Sequence, residues 1–236
     1  MVNNLIPIYL YQGHQVGRPE RLYDYVLAEQ GVIKRLETAF VSVDHLLVPI
    51  REKLIGLRLA RYPLQPLRLK VPRLPARLLG EVVETFRAQL DREVMAHFRY
   101  DQQGWQVTYP AQDQSRARVG YTAGDPSTIV LDLHSHHTMA AFFSGTDDRD
   151  EQGARFYAVL GRLDQPHPEL ILRLGLYGHW LRNIPANLLF EGIGPCLEVY
   201  DEVGLPPEDF ARVPGAGLDQ KVSPGWLARL FNRRDR

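Results

Sequence analysis

Cysteine is nearly absent from this sequence, and a single Cys196 excludes an intrachain disulfide and every cysteine-rich zinc motif. One unpaired cysteine is what a reducing compartment permits, so the cytoplasm is the expected location. Net charge is absent as well: 28 basic residues offset 28 acidic ones, which leaves no overall field to draw in nucleic acid or anionic lipid. No nucleic-acid partner is expected. Long apolar runs are missing too, since stretches such as Met139 to Phe143 fall far short of the ~18 residues that a membrane span needs. The opening MVNNLIPIYLYQGHQ has no positive charge ahead of its short apolar stretch and no small-residue cleavage site, so it makes a poor signal peptide. Nor is there a repeat with a period of about 20 to 50 residues or a low-complexity tract, which sets solenoids aside. These absences predict a soluble protein that makes no use of a membrane.

What is present suits a globular chain. With 236 residues, 44% of them hydrophobic and 24% charged, there is enough mass for one or two domains with a core that needs no staples. Residues 1–75 predict a β-rich extension or small domain, with a hairpin made by Tyr23 to Ala28, a turn at Gln30-Gly31, and Val32 to Thr38. Between Arg51 and Arg77 the basic residues Arg51, Lys53, Arg58, Arg61, Arg68, Lys70, Arg73 and Arg77 face a single acid, Glu52. A solvated face explains them more simply than a docking surface for an acidic partner. Prolines 63, 66, 72 and 75 then mark a boundary.

Residues 76–183 predict a second domain. Leu78, Leu79, Val82, Val83, Phe86 and Leu90 recur at steps of three and four, the spacing of an amphipathic helix that starts near Pro75. Glu93 to Tyr100 and Trp105 to Tyr109 predict strands around a Gln-Gln-Gly turn, and Thr128 to Leu133 a strand covered on both faces. Arg155 to Leu163 and Glu169 to Leu176 predict another pair. Strands interspersed with helices indicate an α/β or α+β fold. Residues 184–236 predict a segment that wraps the domain, then a tail in which Trp226, Leu227, Leu230 and Phe231 share one helix face.

The chemistry concentrates in LHSHHTMAAFFSGTDD, Leu133 to Asp148. Side chains two apart on a strand point the same way, so His134 and His136 can converge on one atom beyond the strand end. Asp147 follows eleven residues later, after a Ser-Gly-Thr turn, and can fold back as a third ligand. Two imidazoles and a carboxylate leave one tetrahedral position for water, as in a catalytic zinc site. Each piece also has a plainer explanation. HxH pairs arise by chance, and Ser144 with Asp147 is a capping box at a helix start.

Together the pieces are more specific. HSHHTMAAFFSGTD has the spacing H-x-H-x7-S-x-x-D and resembles the JAMM motif of the JAB/MPN metalloprotease family, with His134, His136, Ser144 and Asp147 on its fixed positions. One departure is His137, which stands where the family usually has proline and adds a candidate competing ligand. Metallo-β-lactamases fit worse, because HxHxDH is not continued by Thr138-Met139, and amidohydrolase barrels need about 250 residues for the barrel alone.

The resemblance implies a mixed β-sheet flanked by helices, one Zn2+ per chain held by His134, His136 and Asp147, and a glutamate base upstream. Glu93, at the helix-to-strand junction, matches that position, with Glu84 and Glu81 as alternatives. Ser144 would donate to the developing oxyanion, and Asp148 and Asp132 are candidates for orienting an imidazole. The basic N-terminal segment, LPARLL, FYAVLGRLDQPHPELILRLGLYGHW and the total length further resemble the bacterial PRTRC system protein A family. That family occurs in cassettes with ThiF-related proteins. The association implies a ubiquitin-like protein or its conjugate as substrate, with a ThiF-like activating enzyme as a candidate partner. A non-catalytic MPN-like scaffold in the same cassette is the alternative.

Overall fold

The computed structural model describes residues 5–51, 54, 56–110 and 126–200. Strands dominate, in two mixed sheets. The first sheet runs in the order β1 (Ile8–Leu10), β2 (Tyr23–Ala28), β3 (Gly31–Glu37), β4 (Val41–Pro49) and β5 (Arg68–Leu69). Only β1 and β2 are parallel. The expected hairpin is β2–β3, and its turn requires glycine. Gly31 has φ +146°, and an added Cβ would lie 2.0 Å from the Val48 carbonyl oxygen. Strand β4 has no clean alternation, because Val43 is buried in the core that contains α1 while Leu46 is buried in a second cluster with Val26, Ala28 and Ile33, which leaves Asp44 and His45 in succession between them.

The second part contains α1 (Ala76–Arg87), β6 (Met95–Asp101), β7 (Gly104–Thr108), β8 (Ile129–Ser135), α2 (Gly145–Asp150), β9 (Phe156–Gly161), β10 (Glu169–Gly175), β11 (Trp180–Leu181), α3 (Ala186–Leu189) and β12 (Leu197–Glu198). Its sheet order is β11-β10-β9-β8-β6-β7, with β12 also on β10. Strands β8 and β9 are parallel, so the chain must cross over between them. That crossover carries the histidine–aspartate motif.

Alternation divides the faces of this sheet. Ala96, Phe98, Leu131, Leu133, Ala158, Leu160, Leu172 and Leu174 are buried with Leu78, Leu79, Val82, Val83 and Phe86 of α1. Each buried leucine, valine or phenylalanine among them stabilises the fold by roughly 1.5–3 kcal/mol. Leu36, Val41 and Val43 of the first sheet join the same core, as do Ile184, Ala186, Leu189 and Phe190. The other face carries a polar row beside the buried Val159 and Ile171. His97, Asp132, Tyr157 and Arg173 are register partners across four strands, and His134 stands one pair further along β8.

The helix is shorter than its apolar spacing predicts. It ends at Arg87, where the Ala88 N–H turns back to the Glu84 carbonyl and the Gln89 N–H to that of Phe86, and Leu90 is 37% exposed. Several of the basic residues between Arg51 and Arg77 have partners: Lys70 donates to Glu37 and to the Thr38 carbonyl, Arg73 to the Asn187 carbonyl, and Arg77, in the first turn of α1, pairs with Glu81. Among the described residues no helix is long and apolar enough to cross a membrane. The expected helix of Trp226 to Phe231 lies outside the described residues.

Candidate metal centre

Strand β8 ends at Ser135, so His134 is its penultimate residue and His136 the first beyond it. Their Nε2 atoms are 3.3 Å apart. Asp147 Oδ1 lies 3.5 Å from His134 Nε2, and the three ligating atoms all fall within 4.8 Å of one another. A tetrahedral ion with bonds of about 2.0–2.1 Å separates its ligand atoms by roughly 3.3–3.4 Å, so two of the contacts already have the required spacing. The donor set fits as well. Two imidazole nitrogens and a carboxylate oxygen converge at distances where a cation among them would take all three lone pairs. Nitrogen and oxygen donors of this kind suit zinc.

The carboxylate of Asp147 serves two purposes. Its Oδ2 accepts the Ser144 N–H at 2.6 Å while Ser144 Oγ accepts from the Thr146 and Asp147 N–H groups, which completes the capping box of α2. That leaves Oδ1 to face His134. Partial burial works to raise the Asp147 pKa, but hydrogen bonds from Ser144 and the nearby histidines outweigh it and hold the group below the usual carboxylate range. Burial lowers the pKa of His134 despite the opposing charge of Asp147. Both shifts favour the protonation state that binds metal.

Packing orients His136. Its backbone N–H donates to the Leu160 carbonyl at 2.7 Å, and its ring packs edge-on with that of Phe142, centroids 4.5 Å apart, whereas its buried Nδ1 has no hydrogen-bond partner. His137 is not part of the cluster. It has φ +49°, a left-handed conformation that histidine tolerates and that proline, fixed near −65°, cannot adopt. The turn here therefore differs from a proline turn.

The loop after His136 rests on Gly161. An added Cβ there would lie 2.2 Å from the Ala141 nitrogen, 2.4 Å from the Ala140 carbonyl carbon and 2.6 Å from the Met139 oxygen. All three are backbone atoms, so the loop itself must move. Gly161→Ala is expected to cost about 1–3 kcal/mol and to weaken metal binding. Urea melts and metal titration check this, and a variant that matches the parent in both contradicts it.

Glu93 is exposed and stands just before Val94, whose N–H and carbonyl both bond to Ser135, through its Oγ and its N–H. Its carboxylate lies near enough to raise the proton affinity of His134. Glu81 and Glu84 instead pair with Arg77 and Arg87 on the exposed side of α1. The two aspartates expected to orient an imidazole have other contacts. Asp132 is the register partner of His97 and lies 2.7 Å from its Nε2, with Arg155 3.5 Å away on the other oxygen. Asp148, one residue further around α2 than the ligand, faces β10 and meets Arg173 at 2.5 Å. Ser135, Gly161 and Arg173 are supports that the motif did not indicate. For Arg173 the available signal was a lone cation inside the apolar run ILRLGL.

Residues 75–174 match the family model described as prokaryotic homologs of the JAB domain. Comparison with curated proteins and with solved structures gave no significant match. The matched segment runs from the residue before α1 into β10 and contains Glu93, both histidines, Ser144 and Asp147. Residues 75–174, the segment that carries the cluster, are thus similar to the JAB domain of prokaryotic proteins.

Proposed function

We propose that the chain is a zinc-dependent metallopeptidase that hydrolyses a peptide or isopeptide bond at the C-terminus of a ubiquitin-like protein or its conjugate. The observation that carries this is the convergence of His134 Nε2, His136 Nε2 and Asp147 Oδ1 in one small cluster of the JAB segment. JAB domains include metalloproteases and inactive members, and a scaffold has no need of an intact ligand set. A zinc ion held by the three groups supplies Lewis acidity, which lowers the pKa of water from about 15.7 to about 7.

The remaining work falls to side chains. Glu93 accepts a proton from the attacking water and returns it to the departing nitrogen as the C–N bond breaks, a contribution of roughly 10²–10⁴ in rate. Ser144 Oγ already accepts two N–H groups, so its own proton is free to donate to the oxygen that gains charge at the scissile carbonyl. The lone buried Cys196 accords with action in the cytoplasm. The sequence resemblance to PRTRC system protein A supports a cassette-encoded ubiquitin-like substrate, with a ThiF-like enzyme as partner.

The test is cleavage of a ubiquitin-like fusion by the purified chain. Turnover that a chelator stops and added zinc restores is the expected result. Partner binding without cleavage, unchanged when His134 and His136 are both alanine, would favour the scaffold.

A further inference from the structure

Helix α2 has only six residues and buries none of them, so neither its length nor an apolar face can fix the Asp147 that it carries. The capping box ties Asp147 to Ser144, and the anchorage of the whole segment comes from β10. The Arg173 side chain is 0% exposed and projects from the polar face of that strand. Its Nη1 donates to Asp148 at 2.5 Å, and its Nε and Nη2 donate to Glu151 at 2.8 and 2.6 Å. Its guanidinium carbon also lies 3.8 Å from the centroid of the Phe143 ring and 4.9 Å from that of Trp180. Phe143 immediately precedes Ser144, and Asp148 immediately follows Asp147. One cation on a buried strand therefore holds both flanks of the segment that bears the ligand and the serine.

Resting on the metal site proposed above, we infer that Arg173 is the positioning residue of the centre: it sets the place of Asp147 through Asp148, Glu151 and Phe143 without touching metal or substrate. Its planar fork suits this task, because five donors in fixed directions reach two carboxylates while the flat face stacks on a ring. A lysine keeps the charge but not the fork.

The full chain and its Arg173→Met, Arg173→Lys and Asp148→Asn variants test this by zinc affinity, measured against a competing chromophoric chelator, and by the visible absorption of the cobalt(II)-loaded protein. Outer partners of metal ligands typically contribute about 10–100-fold in affinity, and a loss in that range is expected for Arg173→Met. Its cobalt spectrum is expected to change as Asp147 withdraws, with Arg173→Lys in between. A folded Arg173→Met protein with the parent's zinc affinity and cobalt spectrum would overturn the inference. If that variant does not fold, Asp148→Asn decides: a smaller loss in the same direction supports the clamp, and unchanged affinity overturns it. A parent chain that takes up no zinc defeats the metal site itself, a failure distinct from that of the clamp.

Discussion

Replacing either His134 or His136 with alanine is expected to remove stoichiometric zinc from the purified protein, with a loss of affinity beyond the roughly 10–100-fold typical of an outer partner. The three ligating atoms are few and close, with 3.3 and 3.5 Å between neighbours, and no other described residue belongs to the cluster to take over a lost bond. Both rings sit at the end of β8 and lie outside the apolar core around α1, so a folded protein is expected to survive the change. Elemental analysis after dialysis, paired with a thermal melt, reads the two effects separately. A protein that keeps one zinc without His134 contradicts the assignment. The sign of the pH dependence follows from the ligands. Burial lowers the His134 pKa, and Asp147 is held below the usual range, so at these two groups protons compete with metal at more acid pH than for the free side chains. Zinc is expected to stay bound as the pH falls through 6.5, the ordinary histidine value, and to leave below it. Release centred at or above that value runs against these shifts.

Glu93→Gln is the second large effect. Glutamine keeps the shape of the side chain but can neither accept nor return a proton, so cleavage is expected to fall by about 10²–10⁴ while zinc content is unchanged. That corresponds to about 3–5 kcal/mol in the barrier. Glu81→Gln and Glu84→Gln are the controls. Each of those carboxylates is exposed and paired with an arginine of α1, and neither change is expected to move the rate. Full activity in Glu93→Gln would remove Glu93 as the base. Full activity there with loss in Glu84→Gln would transfer the role to the helix.

The residues of the cluster were legible in sequence because their spacing is local. A strand of period two aims His134 and His136 alike, and a capping box marks where the chain turns back with Asp147. The β2–β3 hairpin and α1 were legible for the same reason, since glycine punctuation and a three-to-four repeat act over a few residues. What sequence did not show depends on distant partners. Arg173 meets its carboxylates across a sheet that only forms when β9 and β10 pair, and nothing near it announces Asp148 or Glu151. Asp132 shares parity with His134, but antiparallel pairing with β6 gives it His97. Strand β4 was hidden because it buries Val43 and Leu46 in two different clusters, and Leu90 by a helix that turns off one step early. His137 shows the limit within the motif itself: its backbone is left-handed, and its carbonyl accepts from the Leu163 N–H, a partner outside the motif.

The most direct measurement is a crystal structure of the zinc-loaded chain with diffraction recorded on either side of the zinc absorption edge. One anomalous peak per chain is expected, bonded to His134 Nε2, His136 Nε2 and Asp147 Oδ1, with no fourth protein ligand. No peak there, a peak bound by other side chains, or a fourth side chain closing the site would contradict an open catalytic centre.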